Sequence, residues 1–268
     1  MARVVSGLLA SVPLLLGMPL AHAAPPAESF QSRLSSDRVG QIESGTYLAG
    51  DKIGFALDAA GPDFLLSFDA SPEIFVLHAD TASLGGRVLK YDSGDTALQV
   101  SGWGGVTLYT DSNPGGLPAV RTGSHATPAA PTVSIAELEN AAQAAAEQLA
   151  FVRRLDLAFS ADWRRLAGNA AARAVALDAI GNVARGIEQF GESARAHAAV
   201  ARVVKTVALA IADRPTVTLR DTTLTVTFDP DRGFEGRASS RAIARALHVL
   251  LSAAQRQSRK IPFAGASG

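Results

Sequence analysis

Short runs of alternating apolar and polar residues, or of β-branched and aromatic ones, fill the chain from Gly45 to about Arg121. Seven of them read as strands: GTYLA, KIGFALD, DFLLSFD, EIFVLHA, GRVLKYD, TALQVS and GVTLYTD. Between them lie turn residues such as Ala-Ala-Gly-Pro, Asp-Ser-Gly-Asp and Gly-Trp-Gly-Gly, at intervals of about ten residues. Connections this short cannot hold the crossover helices that parallel strands need. The pattern therefore predicts an antiparallel β-meander, curled or closed into a small barrel. Residues 111–133 are rich in Pro, Gly, Ser and Thr and read as a linker. The antiparallel β domain is set at 45–121 and the linker proper at 122–133.

At Ser134 the period changes. Ser134-Ile-Ala-Glu137 fits a capping box, and Ile135, Leu138, Ala142, Ala145, Leu149, Val152 and Leu155 follow at helical spacing. This predicts a helix running to Ala167 with Gly168 as its stop. A second helix fits Asn169 to Phe190, closed by Gly191, and a third fits Ser193 to Ala212, ahead of Pro215. High alanine content favours all three. Beyond Pro215, Val217 and Leu219 pair with Leu224, Val226 and Phe228 across a turn at Asp221-Thr222, predicting a β-hairpin at 216–228. A last helix spans about Ser239 to Gln257, with Ile243, Leu247, Leu250 and Ala254 on its inner side, and residues 259–268 read as a flexible tail. The fold class is α+β: a β-meander or small barrel, then an alanine-rich three-helix bundle, a hairpin and a C-terminal helix. Whether the hairpin packs on the helices or joins the first sheet is open at this point, since an isolated hairpin is barely stable in water.

The amino terminus bears on location. Arg3, an apolar run from Val4 to Leu20 broken by Pro13, Gly17 and Pro19, and the small-residue site Ala21-His22-Ala23 have the layout of a secretory signal cleaved after Ala23. A membrane anchor would need about 20 apolar residues. Residues 24–44 form a polar extension, in which Phe30, Leu34 and Ile42 mark a short amphipathic helix. The chain has no cysteine, which excludes disulfides, a thiol nucleophile and cysteine-based metal sites. The expectation is a periplasmic or secreted protein that does not span the membrane once the signal is removed.

The net charge is zero, but its halves differ. Residues 24–133 hold twelve acids and six bases, and residues 134–268 hold thirteen acids and eighteen bases. Docking of the halves explains this more simply than an anionic partner, because the basic residues are single arginines spread along helices. Nucleic acid is not an expected partner.

Candidate chemistry is sparse. Asp229-Pro-Asp-Arg-Gly233 and the segment from Asp111 each begin like a calcium loop, but Ser240 and Thr122 stand where the twelfth-position carboxylate belongs. The histidines at 78, 125, 197 and 248 have no partner at metal spacing, so no metal or cofactor is expected. Asp63, Asp69 and Glu73 offer carboxylate pairs for acid–base hydrolysis of an envelope glycan or ester, although Asp at strand ends is ordinary. The stretch GRASSRAIARAL is richer. A helix start there offers free amides and partial positive charge, so Arg237, Ser239, Ser240 and Arg241 form a candidate anion-binding set, with Arg232 and Arg245 nearby. A serine in that position is most often only the helix cap. The aromatics Phe64, Phe68, Phe75, Trp103 and Tyr109 read mainly as core, with sugar or lipid binding as the alternative, and Trp163 reads as a plug in the helix packing.

The order of SPEIFVL, GGVTLYTDSNPGG, alanine-rich helices, a hairpin and GRASSRAIARAL resembles a family of exported bacterial proteins carrying a domain of unknown function. The resemblance covers most of the chain after the signal. It implies export and a shared fold, and no activity. The reading is a non-enzymatic, envelope-associated binding or interaction module, whose partner is a cell-envelope component or another periplasmic protein. The alternatives are the carboxylate hydrolase and a binder of a small anion at 236–241.

Overall fold

The computed structural model describes residues 42–259. The segment 1–23 expected to be a signal, most of the extension 24–44 and nearly all of the tail lie outside the described residues. Eight antiparallel strands close into a barrel in simple sequential order: β1 (Gly45–Ala49), β2 (Ile53–Ala60), β3 (Asp63–Phe68), β4 (Ile74–Thr81), β5 (Arg87–Tyr91), β6 (Thr96–Val100), β7 (Val106–Thr110) and β8 (Asn113–Gly123), with β8 paired back to β1.

Alternation places one residue in two on the inside. Leu57, Leu66, Leu77, Leu89, Leu98 and Leu108, one from each of β2 to β7, are fully buried and form a leucine belt. The register sets Leu57 opposite Leu66, and Leu98 opposite both Leu89 and Leu108. Beside this belt runs an aromatic arc. Tyr47 stacks on Phe55 at 5.2 Å, and Phe55–Phe68, Phe68–Phe75 and Phe75–Tyr91 follow at 6.3, 6.1 and 5.2 Å. Such tilted and edge-on pairs add to the plain burial of area.

Residues 124–133 hold neither helix nor strand, whereas strand β8 takes 113–123 out of the stretch 111–133 that reads as a linker. Pro114 and Pro118 made it look like a loop, since proline lacks a ladder donor. The pairing is already irregular here, with shifts between Leu108 and Thr110 on one side and Thr46 and Tyr47 on the other. Pro118 contributes its carbonyl instead, accepting from the Gly50 amide at 3.2 Å.

The second unit holds α1 (Ile135–Arg153), β9 (Ala158–Ala161), α2 (Trp163–Ala167), α3 (Ala170–Phe190), α4 (Ala194–Val203), β10 (Thr206–Ile211), β11 (Thr216–Arg220), β12 (Thr223–Phe228) and α5 (Ser240–Arg259). The capping box at Ser134 and Glu137 is present, and Asn169 and Ser193 cap α3 and α4. The hairpin forms in the expected register, Val217 opposite Val226 and Leu219 opposite Leu224. It does not join the barrel. It extends a four-stranded sheet of order β11-β12-β10-β9, in which β10 runs parallel to both β12 and β9. One face of this sheet, with Val207, Leu209, Leu224, Val226 and Phe228, is buried in the core shared with α1, α3 and α5. The other presents the threonines of β11 and β12.

Two of the predicted helices are too long. The first stops at Arg153, where Arg154 adopts a left-handed conformation (φ 54°) and gives its amide to the Ala150 and Leu149 carbonyls. Leu155, Leu157 and Phe159 then alternate into β9, and the three-residue steps from Leu149 through Val152 to Leu155 had made the segment look helical. The third stops at Val203, and Thr206–Ile211 is strand β10. There Val207, Leu209 and Ile211 alternate with residues small enough to pass for helix formers.

Candidate functional site

In an up-and-down barrel, alternate turns fall at the same end. The turns after β1, β3, β5 and β7 carry Asp51, Asp69, Glu73, Asp92, Asp95 and Asp111, whereas those after β2, β4 and β6 (Gly61-Pro62, Ala82–Gly86 and Ser101–Gly105) carry no acid. The acidic end is the end that meets the second unit. The charge asymmetry between the halves thus becomes a set of contacts across one seam.

At its centre is Glu73, whose side chain is 1% exposed. One oxygen accepts from the Ser240 amide at the start of α5 (2.7 Å) and the other from Arg185 Nε on α3 (3.1 Å). Arg185 also donates to Asn182 Oδ1 (2.6 Å), and Asn182 donates to the Ala238 carbonyl (2.9 Å). Asp92 accepts from both the amide and the hydroxyl of Ser239. A carboxylate at a helix start is held by the free amides and the helix dipole together. Here the barrel supplies both carboxylates.

Beside this seam opens a cleft of about 560 Å³. Its floor is the end of the aromatic arc, Phe68, Phe75 and Tyr91, and its walls include Lys52, Asp69, Arg185, Gln189 and Arg241. Asp69 folds back over Gly54, where an added Cβ would stand 1.8 Å from its Oδ2. A second cleft, of about 630 Å³, runs past Val88, Gln99, Tyr109 and Pro114. Arg241 and Asp111 line both.

Arg241 lies over the Tyr91 ring at 4.6 Å and donates to both oxygens of Asp111 (2.9 and 2.7 Å). Burial works against its charge, but the Asp111 hydrogen bonds and charge, with help from Tyr91 and Asp95, hold its pKa above the ordinary arginine value. Burial pushes the Tyr91 phenol up to about 12, with Arg241 pulling the other way.

The candidate anion set divides accordingly. The amides of Ser239 and Ser240 are engaged by Asp92 and Glu73. Arg237 is buried and donates to Asp178 (3.2 Å) and to the Phe234 and Ile74 carbonyls, so it bridges the two units. Only Arg241 faces the clefts. Arg232 pairs with Glu235, and Arg245 with Asp95. Of the three candidate carboxylates, Asp69 and Glu73 line one cleft, while Asp63 is elsewhere, paired with His78 at 2.9 Å. His125 lies 3.5 Å from Asp58, His197 meets the Arg153 carbonyl and His248 packs edge-on against Phe190. Among the described residues no cluster of three or more His, Asp or Glu could hold a metal ion, and no helix is long and apolar enough to cross a membrane.

The sequence reading missed Tyr91, Asp92, Asp95, Asp111 and Arg185. The recurrence of acids in every second turn was the signal that would have found three of them, Asp92, Asp95 and Asp111. Trp103 corrects a core assignment: it stands 73% exposed in the β6–β7 turn. Trp163 does pack against the second core.

The sequence profile of a domain of unknown function, DUF4908, matches residues 29–247, which takes in the barrel, the seam and the first turns of α5. The chain belongs to the DUF4908 family. No curated protein and no solved structure matches it. The family match therefore spans every residue of the cleft and assigns none of them a role.

Proposed function

We propose that this DUF4908 protein is a non-enzymatic binding module exported to the cell envelope, and that it takes a small ligand in the cleft between the acidic end of the barrel and helices α3 and α5. The observation that carries the reading is the cleft itself: about 560 Å³, with an aromatic floor and charged walls drawn from both units. Small-molecule sites typically have this size and this mixture of apolar floor and few polar groups.

The state of the carboxylates favours binding over hydrolysis. Two-carboxylate hydrolysis needs one acid free to give a proton and a second free to attack or to activate water. Glu73 has both oxygens committed to Ser240 and Arg185, and Asp111 has both committed to Arg241. That leaves Asp69 without a second free carboxylate beside it. The envelope location is supported by the Arg3-to-Ala23 pattern alone, and an aromatic floor with polar walls suits a wall glycan fragment.

Two measurements test the proposal. The amino-terminal sequence of the protein recovered from the producing cell should begin at Ala24, and a product retaining Met1 to Ala23 in the cytosol would overturn the location. Soluble wall-glycan fragments titrated into isotope-labelled protein should shift the amides of Gly54, Ala70, Ser71 and Gln189. Ala70→Trp, which fills the cleft from an exposed position, should abolish those shifts. Unchanged binding by Ala70→Trp, or no shift at those amides with any fragment, would remove the cleft as the site.

A further inference from the structure

Two of the ion pairs that cross the seam, Glu73–Arg185 and Arg241–Asp111, are built differently, and the difference bears on what the cleft recognises. Glu73 is enclosed and its second oxygen is held by the Ser240 amide, so the Glu73–Arg185 pair is part of the framework. At the Arg241–Asp111 pair the arginine is the fixed member. Its side chain is 21% exposed, rests on the Tyr91 ring, and has a buried Nε that meets no hydrogen-bond partner. Asp111 is the loose member. Its side chain is 83% exposed, it sits in the two-residue turn between β7 and β8, and its carboxylate makes no other hydrogen bond among the described residues.

We infer that Arg241 is the anion-recognition residue of the cleft, and that Asp111 holds the place of a carboxylate or phosphate carried by the ligand. The inference rests on the cleft being the binding site. The planar guanidinium fork presents two parallel donors, which fit a carboxylate or two oxygens of a phosphate equally well. An exposed carboxylate gains little from such a pair, because water competes and the surrounding dielectric is high. A ligand that brings its own anion gains the same two hydrogen bonds and in addition buries an apolar or ring-shaped body on Phe68, Phe75 and Tyr91. When Asp111 swings out, the barrier between the two clefts goes with it, since the pair lines both. The ligand class is therefore a small molecule with one carboxylate or phosphate attached to a ring or short apolar body.

The test uses three probes of one shape: benzoate, phenyl phosphate and the neutral benzamide. They are titrated into labelled protein, following the amides of Thr110, Ser112 and Arg241. Benzoate or phenyl phosphate should bind more tightly than benzamide, and whichever is tighter identifies the anion. Asp111→Asn, which removes the internal competitor, should tighten the anionic probe by about fivefold, the factor that corresponds to an exposed pair. Asp69→Asn removes the same charge from the same cleft without freeing Arg241, and should tighten it far less. Arg241→Gln should erase the preference for an anion over benzamide. Equal tightening by Asp111→Asn and Asp69→Asn would reduce the effect to net charge and overturn the inference. So would equal affinity of Asp111→Asn for benzoate, phenyl phosphate and benzamide. Should Arg241→Gln not fold, the comparison of the two aspartate variants decides alone. All three probes bound alike at cleft amides would remove the role of Arg241 and leave the cleft standing. Loss of the wall-fragment shifts described above would instead remove the cleft.

Discussion

The barrel and the second unit solve opposite problems. In the barrel every strand pairs with its neighbours in sequence, and only the β1–β8 closure is long-range. In the second unit β9 and β10 are parallel partners separated by three helices, so its sheet forms only after a long excursion of the chain. The first arrangement places side chains by local alternation and leaves turns at its ends, where the acids collect. The second places helices over one face of a sheet and presents arginines and a helix start. The cleft at the seam takes most of its lining from the barrel end and is completed by Arg185, Gln189 and Arg241 of the second unit. The barrel end meets the helices through polar contacts and does not fuse with them into one core, and the two hydrophobic cores share no residue.

The contrast is most directly broken at the shared buried pair. Arg185→Ala leaves Glu73 enclosed with the Ser240 amide as its remaining partner. Removing one member of a buried ion pair costs about 3 kcal/mol or more. Because the carboxylate belongs to the barrel and its partner to the second unit, the loss should appear in both units. Urea unfolding followed by hydrogen exchange at amides of β3 and of α3 would show it. A loss below about 1 kcal/mol would mean that Glu73 does not depend on Arg185.

Gly186→Ala should strike the second unit alone. A Cβ at Gly186 would stand 2.8 Å from Ile243 Cβ and Cγ2 and from the Ser240 carbonyl oxygen, where α3 and α5 cross. Overpacking of this kind costs about 1 to 3 kcal/mol. The unfolding midpoint should fall, while the chemical shifts of the leucine belt stay in place. Shifts spreading through β2 to β7 would show that the units are less separate than their cores suggest.

A third prediction concerns alkaline pH and the barrel end under the seam. Folded Tyr91 keeps its proton to about 12 because it is buried, whereas an unfolded tyrosine releases it near 10. Between those values the unfolded chain binds fewer protons than the folded one, so stability falls as pH rises. Below about 10 this contribution is constant. The loss should be about 1 kcal/mol by pH 11, and Tyr47, shifted in the same direction chiefly by burial, adds to it. Tyr91→Phe should flatten the profile in urea melts between pH 9 and 11. An equally steep fall in that variant would place the titration elsewhere.

The sequence makes the barrel far more legible than the unit packed on it, and the reason is physical. Alternation is a local signal, so seven strands can be recognised from GTYLA to GVTLYTD with no knowledge of the fold. The eighth is hidden because Pro114 and Pro118 trade on an irregular ladder. In the second unit, caps at Ser134, Asn169 and Ser193 are equally local and equally readable. Strands β9 and β10 are not, because a parallel strand of four to six residues that follows directly on a helix can continue that helix's apolar spacing. The site was half visible. Arg241 could be singled out from GRASSRAIARAL, but its partner Asp111 lies 130 residues away. Only the closure of the barrel brings the turn after β7 to the start of α5.

The smallest effect is expected at the other end of the barrel, and it sharpens the comparison of what each end is for. The turns after β4 and β6 pack backbone against backbone: a Cβ at Gly102 would lie 2.3 Å from the Leu84 carbonyl oxygen. Their tips point away from the core, leaving Leu84 80% and Trp103 73% exposed. An indole in that position removes little apolar area from water on folding, so its loss removes little stabilisation. Trp103→Ser should therefore change the unfolding free energy by less than about 0.5 kcal/mol, the range for surface positions, with m unchanged. It should leave the benzoate and phenyl phosphate titrations as they are in the unaltered protein. The seam end would then hold both the stability and the ligand chemistry, with the tryptophan end contributing to neither. A loss above about 1 kcal/mol would mean instead that the indole packs on the turn and that the two ends of the barrel are not independent.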